Sequence, residues 1–125
     1  LGDVVVATVK GDIHDIGKNI VKVIMENYGY RMIDLGRDVP AEKIVETVVE
    51  KNIKLVGLSA LMTTTLKSME ETIAALKKAA PDCRVMAGGA VLTPDYAKQI
   101  GADYYCKDAM KSVEAAQEVF GNEQI

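Results

Sequence analysis

Several residue types are scarce in this 125-residue sequence, which has no tryptophan, one phenylalanine, one histidine and two cysteines. Because five tyrosines are nearly all of its aromatic residues, we do not expect platforms on which nucleic-acid bases could stack. The net charge of −3 argues against nucleic acid or an anionic membrane as a partner. No apolar run approaches the roughly 20 residues that span a membrane, and no signal peptide is visible.

The two cysteines, Cys83 and Cys106, form neither a CxxC pair nor a metal-binding spacing. Isolated cysteines of this kind are typical of a reducing compartment, so we expect a cytoplasmic protein. One histidine is too few for a hydrolytic zinc site, which commonly collects several histidines.

Short apolar runs alternate with amphipathic stretches five times, in a composition of 49% hydrophobic and 26% charged residues that suits one globular domain. The runs predict β-strands at 3–9, 30–35, 55–60, 84–87 and 103–106. Each is followed by a stretch with helical spacing, the first of them at 17–28. Five such units predict an α/β fold over the single domain 1–125. We expect a flavodoxin-like five-stranded parallel sheet in the order 2-1-3-4-5, with helices on both faces.

The ends and the inward faces of the helices are also predicted. Gly29 is expected to end the first helix, Thr93 to cap the fourth and Asp108 to cap the fifth. The first helix has an apolar stripe of Ile20, Val21, Ile24, Met25 and Tyr28. The last helix is expected to turn inward Met110, Val113, Ala116 and Phe120.

In a sheet of this kind ligands bind beyond the carboxyl ends of the strands, so the loops after strands 1, 3 and 4 are the candidates for a site. The loop after strand 1 holds His14 two residues after Asp12, which suggests a ligand or base with an orienting carboxylate. From this loop alone, a surface histidine without a function is equally compatible.

Hydroxyl groups follow strand 3 and glycines follow strand 4. Four hydroxyls stand within seven residues, on Ser59, Thr63, Thr64 and Thr65. Capping of the next helix by Thr64 or Thr65 employs only one of them. Gly88 and Gly89 permit a close approach to the backbone or an unusual dihedral angle, although a turn needs no ligand.

Other ligands of similar folds fit these loops poorly. The loop after strand 1 lacks the hydroxyl- and glycine-rich phosphate cradle of flavodoxins, the GxGxxG of dinucleotide sites and the GxxxxGK[ST] of nucleotide triphosphatases. Strand 3 ends in Ser59, where a response-regulator receiver needs an aspartate. The segment around Ser59 also lacks the second glycine of the GxSxG elbow found in serine hydrolases.

Three separated elements resemble a known signature. Asp12-x-His14-x-x-Gly17 is followed after 41 residues by Ser59-x-Leu61, and after 26 more by Gly88-Gly89. This pattern is similar to the cobalamin-binding signature DxHxxG…SxL…GG. Cobalamin-dependent methionine synthase, some mutases and the corrinoid proteins of methanol, methylamine and methoxy-aryl methyltransferase systems share it. The resemblance covers essentially the whole domain.

The resemblance implies cobalamin or a related corrinoid as the cofactor. His14 would replace the nucleotide base as lower axial ligand of cobalt through Nε2, and Asp12 would hold its Nδ1–H. Ser59 would hydrogen-bond the carboxylate and complete a ligand relay. Gly17, Gly88 and Gly89 would leave space for the displaced nucleotide tail. The cofactor contacts implied in addition are Asp15, Ile16, Leu61, Thr63 and Ala90.

Two classes of protein share this module, the methyl carriers and the adenosylcobalamin-dependent mutases. The segments 18–21, 35–40, 95–97 and 100–103 resemble the methyl-transfer branch. We therefore expect a methyl carrier that cycles between Co(I) and methyl-Co(III) and is not a complete enzyme alone, with the cobalamin-binding domain of a mutase as the alternative. A cobalamin-based light or redox sensor and a bare structural α/β domain are further alternatives.

For a carrier, the resemblance implies separate partners. Methyl-donor and methyl-acceptor methyltransferase proteins or domains are expected, together with a reductive activase and a homodimer. Carriers of this kind usually have an N-terminal helical cap, which is expected to be absent from this chain. The upper face of the corrin would then be open, with Leu61 and Met62 on an exposed apolar rim.

Overall fold

Five parallel strands form one sheet in the order β2-β1-β3-β4-β5 in the computed structural model, which describes residues 2–121. The strands are β1 Asp3–Thr8, β2 Arg31–Asp34, β3 Leu55–Ser59, β4 Arg84–Gly88 and β5 Tyr104–Tyr105. The helices are α1 Ile16–Asn27, α2 Ala41–Lys51, α3 Leu66–Ala79, α4 Pro94–Gln99 and α5 Ala109–Phe120. A 3-10 turn, Thr63–Thr65, precedes α3. The predicted fold class and strand order are confirmed.

Strand alternation divides the core into two layers, one on each face of the sheet. Val4 and Val6 of β1 face the layer covered by α1 and α5, and Val5 and Ala7 face the layer covered by α2, α3 and α4. Because both faces of β1 are covered, all four side chains are at most 2% exposed.

None of the helices within residues 2–121 combines the length and apolarity needed to cross a membrane.

Register places the ends of three strands side by side. Thr8 pairs with Ser59, and Ser59 pairs with Gly88. The loops that follow β1, β3 and β4 therefore leave the sheet at one edge, as predicted, and their residues meet there.

The predicted helix ends are confirmed. Gly29 follows α1 with φ +96°, a conformation that glycine adopts without strain. The Thr93 hydroxyl oxygen accepts from the Tyr96 backbone N–H at 3.1 Å, and Asp108 Oδ1 accepts from the Lys111 N–H at 3.0 Å. These two side chains start α4 and α5 by satisfying backbone donors that have no partner inside the helix.

The expected inward faces are partly wrong. Met25, Val113 and Ala116 are buried, but Ile20 and Met110 are 51% and 45% exposed. Tyr28, also exposed, directs its hydroxyl at the Met110 sulfur, 3.8 Å away. Ile20 lines a slot between α1 and the sheet, so the first half of this helix is not packed tightly on the strands.

Candidate cofactor site

A slot with a volume of about 880 Å³ opens at the carboxyl edge of the sheet, between β3, β4 and the helices α1 and α5. Val6, Gly57 and Met86 line its inner part, where Val6 and Met86 are each only 2% exposed. His14 and Leu61 lie at its exposed end. The slot therefore runs from an exposed imidazole to an apolar floor formed by the sheet.

His14 is held by the carboxylate of Asp12. Asp12 Oδ1 accepts a hydrogen bond from the His14 backbone N–H at 3.0 Å and lies 2.7 Å from His14 Nδ1. The Asp12 side chain is fully buried, whereas the His14 side chain is 45% exposed. Within residues 2–121, Nε2 of His14 has no hydrogen-bond partner. The ring is thus fixed at one nitrogen and open at the other.

The second carboxylate oxygen of Asp12 is bound to the loop after β3. Oδ2 accepts from the backbone N–H of Leu61 at 2.7 Å, from that of Met62 at 3.3 Å, and from the Thr65 hydroxyl at 2.8 Å. This single side chain therefore joins the loop that carries His14 to the loop that follows β3.

The expected hydrogen bond between Ser59 and Asp12 is wrong, since no such bond is present in the described part of the chain. Ser59 is the last residue of β3 and lines the slot. Thr65, six residues later, supplies the hydroxyl instead. The expected side-chain cap of α3 is absent among the described residues as well, because the Thr65 hydroxyl turns to Asp12 and to the Met62 carbonyl.

Asp12 remains ionised because its hydrogen bonds lower the pKa of the carboxyl by more than burial raises it. Burial by itself raises the pKa of this carboxyl, but the N–H groups of Leu61 and His14, the His14 ring and the Thr65 hydroxyl together bring the pKa well below its usual range. An ionised carboxylate only accepts hydrogen bonds, so the proton between the two side chains belongs to Nδ1. In the neutral ring Nε2 then carries a free electron pair, which is the form that binds metals.

Asp38, which the sequence analysis missed, anchors the same loop from the other side. Its backbone N–H donates to the Asp12 carbonyl at 2.9 Å, and its Oδ1 accepts from the Gly11 N–H at 2.7 Å. Asp38 has φ +54°, a left-handed conformation that aspartate tolerates better than most residues. An isolated aspartate after a predicted strand carries no signal that would have identified this contact.

A buried ion pair between Lys18 and Asp34 was also missed. Lys18 Nζ lies 2.7 and 2.8 Å from the two carboxylate oxygens of Asp34 and donates to Asn19 Oδ1 at 2.9 Å. The Lys18 side chain is only 3% exposed. Because Lys18 lies in the first turn of α1 and Asp34 ends β2, the pair fixes the start of α1 beside the slot.

The glycines of the signature have different roles in the structure. A Cβ at Gly17 would meet no atom within 4 Å, so this position keeps open space at the slot. A Cβ at Gly88 would lie 3.0 Å from the Cys106 carbonyl oxygen. Gly89 has φ +140°, and a Cβ there would collide with the Ala60 carbonyl oxygen. Gly89 therefore permits the loops after β3 and β4 to touch, and it also lines the slot.

Gly57 is another slot residue that the sequence analysis missed. A Cβ there would lie 3.0 Å from Met86 Cε and 3.2 Å from Val6 Cγ1, two side chains of the slot floor. A signal for it was present, because a glycine inside an otherwise apolar strand often marks a close approach by a ligand. The remaining predicted site residues that line the slot are Asp15, Ile16, Ser59, Leu61, Gly88, Gly89 and Ala90. Thr63 does not line the slot and is exposed at the start of the 3-10 turn.

The arrangement fits a large cofactor that brings its own metal ion. One exposed imidazole with a free nitrogen can give a single protein ligand to a metal. The adjoining slot, with a volume of about 880 Å³ and an apolar floor, has room for an appendage of the cofactor. A carboxylate behind the ring is the usual partner of a metal-binding histidine.

Comparison with known proteins identifies the family. The B12 binding domain family matches residues 2–116. The dimethylamine corrinoid protein 2 of Methanosarcina mazei is 46% identical over 121 residues, which is 95% of this chain and 56% of that protein. The chain thus spans about half the length of this curated relative.

Solved structures support the same family assignment. A cobalamin-binding protein from Desulfitobacterium hafniense superimposes with a TM-score of 0.91 at 41% identity, over 96% of this chain and 60% of that one. The methanol:cobalamin methyltransferase complex MtaBC from Methanosarcina barkeri superimposes with a TM-score of 0.89 at 34% identity, over 97% of this chain and 47% of that one. The chain belongs to the B12-binding domain family, and its cofactor is cobalamin or a related corrinoid.

Proposed function

We propose that this chain is the corrinoid-carrying domain of a cobalamin-dependent methyltransferase system, with His14 as the lower axial ligand of cobalt. The observation that carries the proposal is the state of the His14 ring. Nδ1 lies 2.7 Å from a buried carboxylate oxygen, and Nε2, at the exposed end of the slot, has no hydrogen-bond partner among the described residues.

Asp12 and His14 have different roles in the proposed ligation of cobalt. Asp12 keeps the proton on Nδ1 and fixes the ring, which makes Nε2 a better donor. Bound cobalt supplies the methyl chemistry, including the change between Co(I) and Co(III) that a methyl carrier uses. The protein contributes position and donor strength, which is the usual division between a cofactor and its protein.

The slot offers a place for the nucleotide tail that His14 displaces. Val6 and Met86 form an apolar floor, and the missing side chain of Gly57 deepens the slot between them. Gly17 keeps open space at the slot where α1 begins. Ser59 pairs with Thr8 on one neighbouring strand and with Gly88 on the other. Because Ser59 lines the slot, its hydroxyl can contact the tail.

The surface around His14 suits a flat, largely apolar macrocycle. Ile13, Ile16 and Leu61 are 60%, 76% and 39% exposed, and all three line the exposed part of the slot. Of the two residues expected on the exposed apolar rim, Leu61 is exposed, whereas Met62 is half-buried. Large apolar side chains left exposed together are typical of a surface that another group covers.

The relatives favour methyl transfer over the mutase alternative. They include a dimethylamine corrinoid protein and a methanol:cobalamin methyltransferase complex. These names support methyltransferase proteins that donate and accept the methyl group as the partners of this domain. A reductive activase, a homodimer and a cytoplasmic location stay predictions.

The test uses the fact that the chain has one histidine. Protein labelled with ¹⁵N in histidine only is mixed with hydroxocobalamin, freed of excess by gel filtration and reduced to Co(II). We expect about one corrinoid per chain, and electron paramagnetic resonance lines split into doublets by ¹⁵N where unlabelled protein shows triplets.

His14→Ala is the control, in which protein-nitrogen splitting should vanish while some corrinoid stays bound through the slot. Spectra that do not change with the label would show that His14 is not the ligand. A folded wild type that retains no corrinoid would refute the carrier function itself.

A further inference from the structure

Three cationic side chains line the slot, and they differ in whether the protein neutralises them. Lys18 is buried and forms an ion pair with Asp34. Arg37 and Lys107 are exposed, and within residues 2–121 no carboxylate oxygen lies within 4.0 Å of a side-chain nitrogen of either residue. The slot therefore has two positive charges that are available to a ligand.

Two carboxylates also line the slot, and both stand at the start of a helix. Asp15 directly precedes α1, and Asp108 directly precedes α5 and caps it. Among the described residues, neither carboxylate reaches Arg37 or Lys107. These acidic groups thus leave both cations unpaired.

The backbone on both sides of Arg37 is fixed. Gly36 has φ +96° and Asp38 has φ +54°, so residues in the left-handed region stand before and after the arginine. The Gly36 carbonyl accepts from the Thr8 N–H at 2.9 Å, and the Asp38 N–H donates to the Asp12 carbonyl at 2.9 Å. Arg37 therefore extends from a turn that is bonded both to β1 and to the loop after it.

Arg37 and Lys107 lie on different sides of the slot. Arg37 follows β2, which is the neighbour of β1 in the sheet, and His14 is in the loop after β1. Lys107 follows β5, at the opposite edge of the sheet. Of the two unpaired cations, Arg37 is therefore the one on the side of the proposed cobalt ligand.

The cofactor has an anionic group that such a cation recognises. The nucleotide tail of cobalamin is joined to the macrocycle through a phosphodiester, which is negatively charged at neutral pH. With the macrocycle over His14 and the base inside the slot, this link would lie where the slot opens. A guanidinium matches phosphate oxygens because it offers two parallel N–H donors.

We infer that Arg37 binds the phosphodiester of the corrinoid tail and selects corrinoids that have one. The inference deepens the proposed function and rests on it, because it requires the macrocycle at His14 and the tail in the slot. Recognition of the tail is then divided between the charge of Arg37 at the opening and the apolar floor around Gly57.

The test compares three corrinoids with different tails. Cobalamin has the whole nucleotide, cobinamide phosphate keeps a phosphate without the nucleoside, and cobinamide has neither. Absorbance titration measures their affinities for wild type and for Arg37→Gln, which loses the charge but keeps a long polar side chain. We expect Arg37→Gln to bind the two phosphate-bearing corrinoids about fivefold more weakly, the upper end for an exposed ion pair. Its affinity for cobinamide should equal that of wild type.

Lys107→Gln is the matched control, because it removes an exposed and unpaired cation from the other side of the same slot. Its affinities for all three corrinoids should stay at the wild-type values. Arg37→Lys keeps the charge without the planar guanidinium and should recover part of the loss.

A second measurement observes the phosphate directly. Cobalamin has a single phosphorus atom, so ³¹P NMR of the Co(III) complex reports the surroundings of the phosphodiester. The signal of bound cobalamin should move in Arg37→Gln and should keep its wild-type position in Lys107→Gln.

Three results would overturn the inference. Equal losses for cobinamide and cobalamin would place Arg37 against the macrocycle. Unchanged affinities with an unchanged ³¹P signal would show that Arg37 does not contact the cofactor. Equal effects of Lys107→Gln would show that the position of the charge is irrelevant. All three leave the proposed function intact, whereas a wild type that binds none of the corrinoids would refute the proposed function and the inference together.

Discussion

Asp12 holds His14 at two points, since its Oδ1 accepts from the His14 backbone N–H at 3.0 Å and lies 2.7 Å from Nδ1 of the ring. Both donors belong to one residue, so the carboxylate fixes the ring relative to its own backbone. The orientation of the ring is therefore established without a cofactor, so the proposed ligation would not have to order this side chain.

Asp12→Asn should weaken ligation without abolishing corrinoid binding. An amide keeps the shape of the carboxylate but loses its charge, and its nitrogen cannot accept from the donors around it. We expect a loss of about 10–100-fold in affinity and a smaller histidine-ligated population in Co(II) spectra. The Co(II)/Co(I) midpoint should become less negative, because the axial nitrogen stabilises Co(II) more than Co(I).

Spectroelectrochemical titration checks this prediction, with Asp95→Asn in α4 as a control for the loss of one negative charge. Ser59→Ala should leave the midpoint nearly unchanged, because Ser59 does not bond to Asp12 in the described structure. A midpoint that moved more in Ser59→Ala than in Asp12→Asn would contradict the hydrogen-bond pattern.

Gly57→Val should discriminate between corrinoids with and without a nucleotide tail. A branched side chain at this position would compete for the space of Met86 and Val6 and fill the floor of the slot. Because the tail would occupy the same space, an overpacking cost of about 1–3 kcal/mol in the complex corresponds to a loss of roughly 5–150-fold in cobalamin affinity. Binding of cobinamide, which lacks the tail, should change little and so serves as the internal control. Equal losses for both corrinoids would mean that the tail does not enter this slot.

Gly17→Ala and Gly89→Ala should have opposite consequences for stability. Gly17 lies in the first turn of α1 with open space around it, so alanine should leave the free energy of unfolding equal or raise it by up to about 1 kcal/mol. Its methyl group would still project into space at the slot and weaken cobalamin binding. Gly89→Ala combines a left-handed φ with a collision against Ala60, and we expect a destabilisation of about 2 kcal/mol or more. Urea unfolding compares the two, and a stable Gly89→Ala would show that the contact between these loops is dispensable.

Asp34→Asn should destabilise the protein in a pH-dependent way. Burial raises the pKa of the Asp34 carboxyl, but the hydrogen bonds from Lys18 and the Gly36 N–H and the charges of Lys18 and Lys22 lower it overall. Because the folded-state pKa lies below that of the unfolded chain, the ionised carboxylate stabilises the fold above about pH 4. This stabilisation is lost as the pH falls through the folded-state pKa.

At neutral pH the variant leaves Lys18 buried without its partner, which costs on the order of 3 kcal/mol. Urea unfolding over a pH series should show the difference from wild type constant near neutrality and shrinking in acid. Asp95→Asn, which forms no ion pair within the described residues, should show no such trend. A difference that grew on acidification would contradict the assigned direction of the pKa.

Much of the fold was predictable because its signals are local. The β-branched run at β1, the helical spacing in α1 and the caps at Thr93 and Asp108 each lie within one stretch of chain. Right-handed connections between parallel strands then leave few arrangements of the sheet, and the observed order is among them. The exposure of Ile20 was not predictable, because it depends on the slot that lies between α1 and the sheet.

The sequence by itself determined which chain segments form the candidate site. The carboxyl ends of β1, β3 and β4 must meet at one edge, and the single histidine stands there two residues from an aspartate. Gly57 also has a local signal, since a glycine within an apolar strand often marks a close approach by a ligand.

Only the tertiary structure decided which hydroxyl reaches Asp12. Ser59 and Thr65 have the same donor chemistry and follow the same strand, so no local pattern separates them. Ser59 ends β3 in register with Thr8 and Gly88 and lines the slot, whereas the turn after β3 brings Thr65 back to the buried carboxylate. The pairing of Lys18 with Asp34 was decided in the same way, because a contact between residues far apart in sequence depends on how whole elements pack.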